Sequence, residues 1–236
     1  RLTLSISGPF GKDIPVGPDN LVLRAASLVS RDLGAAIQLE KNLPPAAGIG
    51  GGSSDAAATV RALCALWQSP EPDLRSLVNL GTDVPVCMLA QLTRMRGVGE
   101  KLDHLGAPPE LAFVLINPRT EASTPRVFKA LETKSNSALE GDMPDPSDLD
   151  AWLFWLSAQR NDLEKPASRL APVIMDVLDA LNALPQAKVV RMSGSGATCF
   201  AIMHDRASAK AAAESLQHAH PSWWVKDTAT CFTDFK

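Results

Sequence analysis

Three features of this 236-residue chain predict an α+β protein built as two lobes. A glycine loop, Gly48-Ile-Gly-Gly-Gly52, runs straight into Ser53-Ser-Asp55 and a helix-forming alanine run. A proline break at Gly106-Ala-Pro-Pro109 precedes an uninterrupted apolar segment, Leu111-Ala-Phe-Val-Leu-Ile116, where the pattern restarts. Beyond the break the segments read strand, helices, strand, strand, helix, strand, an order that suits a ferredoxin-like lobe. The expected division is therefore residues 1–108 for the N-terminal lobe and 109–236 for the C-terminal lobe.

Each element follows from local pattern. Leu2-Thr-Leu-Ser-Ile6 alternates as a half-buried strand does. A helix is expected over 21–33 and a strand over 36–39. The phosphate-loop candidate follows, then helices over 54–67 and 74–80. Ala57, Val60, Leu63, Cys64 and Trp67 recur at helical spacing in the first of these. Asp83 precedes an apolar segment broken by Pro85, and an extended pair flanks Gly97-Val-Gly99. In the second lobe, helices are expected near 125–131, 149–158, 173–184 and 207–218. Strands are expected at 111–116, 189–192, 198–203 and 223–228. The acidic, proline-rich stretch Asp142-Met-Pro-Asp-Pro-Ser-Asp-Leu-Asp150 reads as a mobile surface loop. Trp152, Trp155, Trp223 and Trp224 read as packing residues, and His218 and His220 as solvated.

The glycine loop carries the chemistry. Glycine lets backbone approach a ligand closely, and serine and aspartate cap helices, so the following helix is expected to open at Ser53 or Ser54. A helix N-terminus presents unpaired N–H groups and a positive dipole end, which together suit an anion such as phosphate. Two common phosphate loops do not fit. A Walker A loop requires Gly-Lys-Ser/Thr, yet no lysine occurs between Lys41 and Lys101. A dinucleotide fingerprint requires a third glycine where Ser53 stands. A second glycine cluster, Met192-Ser-Gly-Ser-Gly-Ala-Thr198, lies between two apolar runs and alone would pass for a hairpin turn.

What remains, Pro-x-x-x-Gly-Ile-Gly-Gly-Gly-Ser-Ser-x-Ala, resembles the second motif of the GHMP kinases, a superfamily of small-molecule kinases. The cluster at 192–198 resembles their third motif, a turn that packs against the phosphate loop. Gly81-Thr-Asp-Val-Pro-Val86 is similar to the segment bearing the catalytic aspartate in one branch. That branch, in non-mevalonate isoprenoid synthesis, phosphorylates a cytidine-diphosphate sugar alcohol. Gly17-Pro-Asp-Asn-Leu21, Gly97-Val-Gly-Glu100, Ser123-Thr-Pro-Arg-Val-Phe128 and Asn161-Asp-Leu-Glu164 agree with it, in order and over the whole chain. The resemblance implies a ribosomal-protein-S5-like first lobe and a ferredoxin-like second.

It also implies roles. Pro44, Pro45, Ala46, Ala47, Gly48, Ile49, Gly50, Gly51, Gly52, Ser53 and Ser54 would bind ATP. Asp83 would be the catalytic base, where residue type alone would make it a cap or turn residue. Lys41 would reach nucleotide or substrate, the alternative being a solvated lysine at a strand end. Thr124 and Phe128 would line the cytidine pocket with Phe128 stacked on the base, the alternative being plain helix core. Ser193, Gly194, Ser195 and Gly196 would form the third-motif loop. Magnesium would arrive with ATP, with no metal site of the protein's own. Family members also carry an upstream Pro/Ala-x-Lys-x-Asn segment and a Gly-Tyr-His; neither appears in a chain that starts at Arg1 and contains no tyrosine. The sequence thus reads as a fragment whose physical protein includes those residues.

Composition limits the partners. A net charge of −3 without any Lys/Arg run argues against nucleic acid. No apolar stretch reaches membrane-spanning length. Cys64, Cys87, Cys199 and Cys231 have no metal spacing, and read as buried free thiols of a cytoplasmic protein. The expected partner is a small-molecule substrate, and the expected assembly a monomer or homodimer. Two rival readings stay open: a homoserine- or mevalonate-type kinase, and a nucleotide-binding pseudokinase.

Overall fold

The computed structural model describes residues 1–138, 141–145 and 147–231, which form two compact units. The first comprises Arg1–Pro45 and Gly50–Gly106; the second comprises Ala46–Ile49 and the described residues from Ala107 onward.

In the first unit, β1 (Leu2–Ser7) pairs in parallel with β2 (Ala35–Glu40), Leu2 opposite Ala35 and Ser7 opposite Glu40. The connection between them holds α1 (Leu21–Val29), whose Asn20 cap accepts from the Val22 N–H. The helix stops short of the expected residue 33. Ser30 is extended, and its hydroxyl accepts from the N–H groups of Asp32 and Leu33, a local turn that competes with helix. Then come α2 (Gly51–Trp67), α3 (Leu74–Leu80) and α4 (Val84–Leu89). Ala25, Ala56, Ala57, Val60, Cys64, Leu77, Leu80 and Val84 make the core of these four helices. Small residues on α1 and α2 let the two backbones approach. The segment after Asp83, expected to be merely proline-broken, is helical: Pro85 lies in the first turn, where its missing N–H costs nothing. A hairpin of β3 (Thr93–Arg96) and β4 (Lys101–His104) completes the unit.

The second unit is a four-stranded antiparallel sheet in the order β6-β7-β5-β8. Its strands are β5 (Ala112–Asn117), β6 (Ala187–Met192), β7 (Cys199–Met203) and β8 (Trp224–Ala229). This is the ferredoxin-like order. Its helices are α5 (Thr124–Lys129), α6 (Leu149–Ala158), α7 (Glu164–Leu170), α8 (Val173–Asn182) and α9 (Arg206–Ala219). Val114 and Ile116 pack with Ile174, Val177 and Leu181 of α8 and Ala209 and Ala213 of α9 on one face. Leu153 of α6 packs with Leu111, Val189 and Ile202 on the other.

Four sequence expectations are corrected here. Helix α7 stands where no helix was expected, with Pro166 in its first turn, where proline is tolerated. The loop expected over 142–150 ends earlier, since α6 begins at Leu149: Asp148 caps it through the Ala151 N–H, and Asp145 accepts from the Ser147 N–H and hydroxyl. Pro146 within that loop lies outside the described residues. His220 stacks flat on buried Trp223, ring centroids 3.8 Å apart, instead of standing in solvent. Cys231 is exposed and Cys87 half-buried, while Cys64 and Cys199 are buried; all four are free.

Candidate active site

The first unit supplies a helix terminus and a lysine. Gly50, with φ of 66°, caps α2, and no side chain takes part in the cap. The helix therefore opens at Gly51, ahead of the expected Ser53 or Ser54, because successive glycines supply the turn without a serine. The Ser54 N–H is the first to reach back into the helix, to the Gly50 carbonyl at 2.8 Å. The N–H groups ahead of it have no acceptor inside the helix and carry the positive dipole end. Lys41, at the end of β2, is buried, and its ammonium donates to Asp55 Oδ2 at 2.5 Å. A Cβ on Gly51 would stand 3.5 Å from that ammonium. Lys41 is thus no solvated strand-end lysine: it forms an ion pair with Asp55 beneath the first turn of α2, and Asp55 offsets the cost of burying it.

Asp83 occupies the N-cap position of α4 without capping it by its side chain. Val84 and Pro85 are fully buried behind it, so the backbone is fixed while the carboxylate remains exposed. Among the described residues its carboxylate accepts one hydrogen bond, from the Thr82 hydroxyl 3.5 Å from Oδ1. The turn before it lies beside the start of α2, since a Cβ on Gly81 would be 3.9 Å from the Ser53 hydroxyl. The β3–β4 turn braces it from another side. Gly99, φ 106°, sits so close that a Cβ would lie 2.3 Å from the Thr82 carbonyl oxygen, an approach that only glycine allows. Burial, with the Asp83 carboxylate nearby, pushes the Cys87 thiol up to about 11.

The second unit holds the Ser193-Gly-Ser-Gly196 turn between β6 and β7, together with Ala46–Ile49. The Thr198 N–H donates to the Ala47 carbonyl at 3.2 Å, and the Ser193 hydroxyl to the Gly48 carbonyl at 2.9 Å. A Cβ on Gly48, φ 72°, would lie 2.5 Å from the Gly196 oxygen. Ser195 and Thr124 share a hydroxyl–hydroxyl bond of 2.7 Å. Buried Asn117 donates to the Thr198 hydroxyl at 2.9 Å. Phe128, on the short helix α5, is 50% exposed, which excludes plain helix core. It lines a cavity of about 480 Å³ with Asn136, Arg160, Asn161, Met192 and Gly194.

The fold therefore gathers Lys41, Pro44, Pro45, Gly50, Gly51, Gly52, Ser53, Ser54 and Asp83 in one unit. Ala46, Ala47, Gly48, Ile49, Thr124, Phe128 and the 193–196 turn fall in the other. Sequence reasoning missed the partner of Lys41: Asp55 was visible only as a helix-start residue, although an acid one turn into a helix beneath a strand-end lysine is a readable signal. It also left Asn161 and Glu164 without a task. The structure gives them one, with the Asn161 amide donating to the Met192 and Gly194 carbonyls and Glu164 accepting from the Met192 N–H.

A glycine-opened helix terminus suits a bound anion such as phosphate, and comparison with known proteins gives the class. The model of the GHMP kinases N terminal domain matches residues 20–91, and that of the GHMP kinases C terminal domain residues 127–222. The chain is 49% identical, over 95% of its length and 81% of that protein's, to a 4-diphosphocytidyl-2-C-methyl-D-erythritol kinase of Cereibacter sphaeroides strain ATCC 17025. It is 48% identical, with the same coverage, to one of Ruegeria pomeroyi. A crystal structure of a 4-(cytidine 5'-diphospho)-2C-methyl-D-erythritol kinase superposes with a TM-score of 0.76 at 33% identity, over 98% of this chain and 84% of that one. A homoserine kinase from Cytophaga hutchinsonii shares the fold at a TM-score of 0.67 and 17% identity, covering 98% of this chain and 82% of its own. The chain belongs to the GHMP kinases, and among them to the 4-diphosphocytidyl-2-C-methyl-D-erythritol kinase family. It is a small-molecule kinase, of a class that uses ATP.

Proposed function

We propose that this kinase transfers the γ-phosphoryl group of ATP to the 2-hydroxyl of 4-diphosphocytidyl-2-C-methyl-D-erythritol. The observation that carries the reading is the 49% identity extending over 95% of the chain to a kinase of that name. In this reading residues 1–108 and 109–236 are the two lobes, and the protein works in the cytoplasm, where both nucleotide substrates are found. The loop 44–54 binds the triphosphate through backbone N–H groups, and Lys41, paired with Asp55 beneath the start of α2, lies on the side that meets nucleotide or substrate. Magnesium enters as part of the ATP complex. A hydroxyl of Ser53 or Ser54 bonds a phosphate oxygen or that magnesium ion.

Phosphoryl transfer asks the protein mainly for positioning and charge stabilisation. Asp83 takes the proton of the attacking hydroxyl, help worth roughly 10²–10⁴ in rate. Its exposure and light hydrogen bonding suit that task, because Oδ1 carries only a long 3.5 Å bond from the Thr82 hydroxyl among the described residues. Phe128 stacks on the cytosine, and Thr124 lies at the same helix start. Coupled ADP release measured with the cytidine substrate, homoserine and mevalonate tests the reading. Turnover is expected with the first alone. Equal turnover with either small alcohol would move the protein to another branch, and ATP binding without any ADP release would make it a nucleotide-binding module.

A further inference from the structure

Asn161 stands outside the glycine motifs, yet every polar atom of its side chain is spent on one of them or on its own turn. The two amide hydrogens go to the Met192 and Gly194 carbonyls, each at 2.8 Å, so both flanks of Ser193 are held. The Oδ1 atom accepts from the Leu163 N–H at 3.0 Å, which fixes the amide's orientation. Glu164, three residues on, accepts from the Met192 N–H at 2.8 Å. Met192 thus has both its N–H and its carbonyl tied to the entry of α7, and the turn cannot shift along β6 without breaking them. The turn in turn holds the loop, with Ala47 and Gly48 directing their carbonyls at Thr198 and Ser193.

The consequence follows from the trans peptide, in which N–H and C=O point in opposite directions. With the Ala47 and Gly48 carbonyls bonded to the turn, the N–H groups of Gly48 and Ile49 face away from it. Those are the groups a phosphate-binding loop must present. We propose that Asn161, assisted by Glu164, is a positioning residue that aims the Gly48 and Ile49 amides at the phosphates of ATP; this rests on the kinase reading above. Only a carboxamide meets the demand at 161, where two donors and one acceptor are needed in a single plane. An aspartate keeps the acceptor but sets a charge against two carbonyl oxygens. At position 164 only acceptance is needed, so glutamine suffices.

The test is titration of the folded variants with ATP and, separately, with the cytidine substrate, alongside wild-type turnover. Asn161→Asp and Asn161→Ala are expected to weaken ATP by about tenfold, the scale of losing well-formed hydrogen bonds. The cytidine substrate, measured without ATP, is expected to hold within about twofold. Glu164→Ala is expected to follow them, and Glu164→Gln to remain near wild type. Should Asn161→Ala fail to fold, Ser193→Ala reads the same link one bond further along and is expected to shift ATP alone. Unchanged ATP affinity in folded Asn161→Asp would overturn the proposal, as would equal losses for both ligands, because Asn161 also borders the Phe128 cavity. Wild-type failure to phosphorylate the cytidine substrate would instead overturn the functional reading, while the ATP titrations still decide the role of Asn161.

Discussion

The Asp83 corner of the first unit and the Ser193 turn of the second differ in how they spend hydrogen bonds. Around the turn nearly every polar group is engaged: Asn117 with Thr198, Ser195 with Thr124, Ser193 with Gly48, Asn161 and Glu164 with the strand end. Thr198 is fully buried and Ser195 nearly so. At the corner the backbone is fixed by Val84, Pro85 and the close approach of Gly99, but among the described residues the Asp83 carboxylate has one long hydrogen bond, from Thr82. A saturated network resists movement, since each bond lost leaves a desolvated group behind. An exposed carboxylate on a rigid backbone stays free to accept a proton. The comparison separates holding from reacting, and substitutions in the two places should fail in different ways.

The largest effect is expected at the corner. Asp83→Asn keeps the shape of the side chain but cannot take a proton. Turnover should fall by roughly 10²–10⁴, with ATP affinity almost unchanged and a melting temperature close to wild type, because Asp83 caps nothing. Steady-state kinetics with direct ATP titration decide it. A variant retaining more than about a tenth of wild-type kcat would remove Asp83 from the role of base.

The second effect belongs to the other unit and reads binding in place of chemistry. Phe128→Ala should cost the cytidine substrate about 1–3 kcal/mol, the scale of one aromatic–base stack, and ATP much less. Because Phe128 is 50% exposed, its loss should barely alter stability. Calorimetric titration with each ligand makes the distinction. Equal losses for the two ligands would show a general defect in the unit.

Much of the fold was legible because its signals are local. Alternation in Leu2–Ser7, the glycine turns and the apolar run of β5 each announce an element within a few residues. The misreadings share a cause, which is that a residue's partner lies far off in sequence or is backbone. Ser53 reads as a cap, yet Gly50 opens α2 through conformation alone. Lys41 reads equally well as a solvated strand end until Asp55, fourteen positions on, is seen beneath it. Asn161 and Glu164 meet Met192 and Gly194 only after α8 and β6 have returned the chain. Motif patterns carry residue types and order, whereas the bonds that aim a loop are visible only in three dimensions.

The smallest expected effect asks whether Asp83 carries its charge in the folded protein. Cys87 follows it by one helical turn, its N–H bonded to the Asp83 carbonyl at 3.1 Å. Its thiol is raised from 9.0 to about 11, first by burial, then by the Asp83 carboxylate, with Arg61 opposing. A raised thiol favours the protonated form in the fold. Cys87 therefore supports stability below the unfolded value near 9.0, and that support fades as pH climbs towards 11. Alkylation followed by peptide mass mapping between pH 8 and 11 should modify exposed Cys231 early and Cys87 only near the top of the range. In Asp83→Asn the Cys87 profile should move to lower pH, while that of Cys199, held up to about 12 by burial and then Glu164, should stay in place. An unmoved Cys87 profile would mean that the corner carries no effective negative charge, and the contrast between a reactive corner and a saturated turn would lose its electrostatic basis.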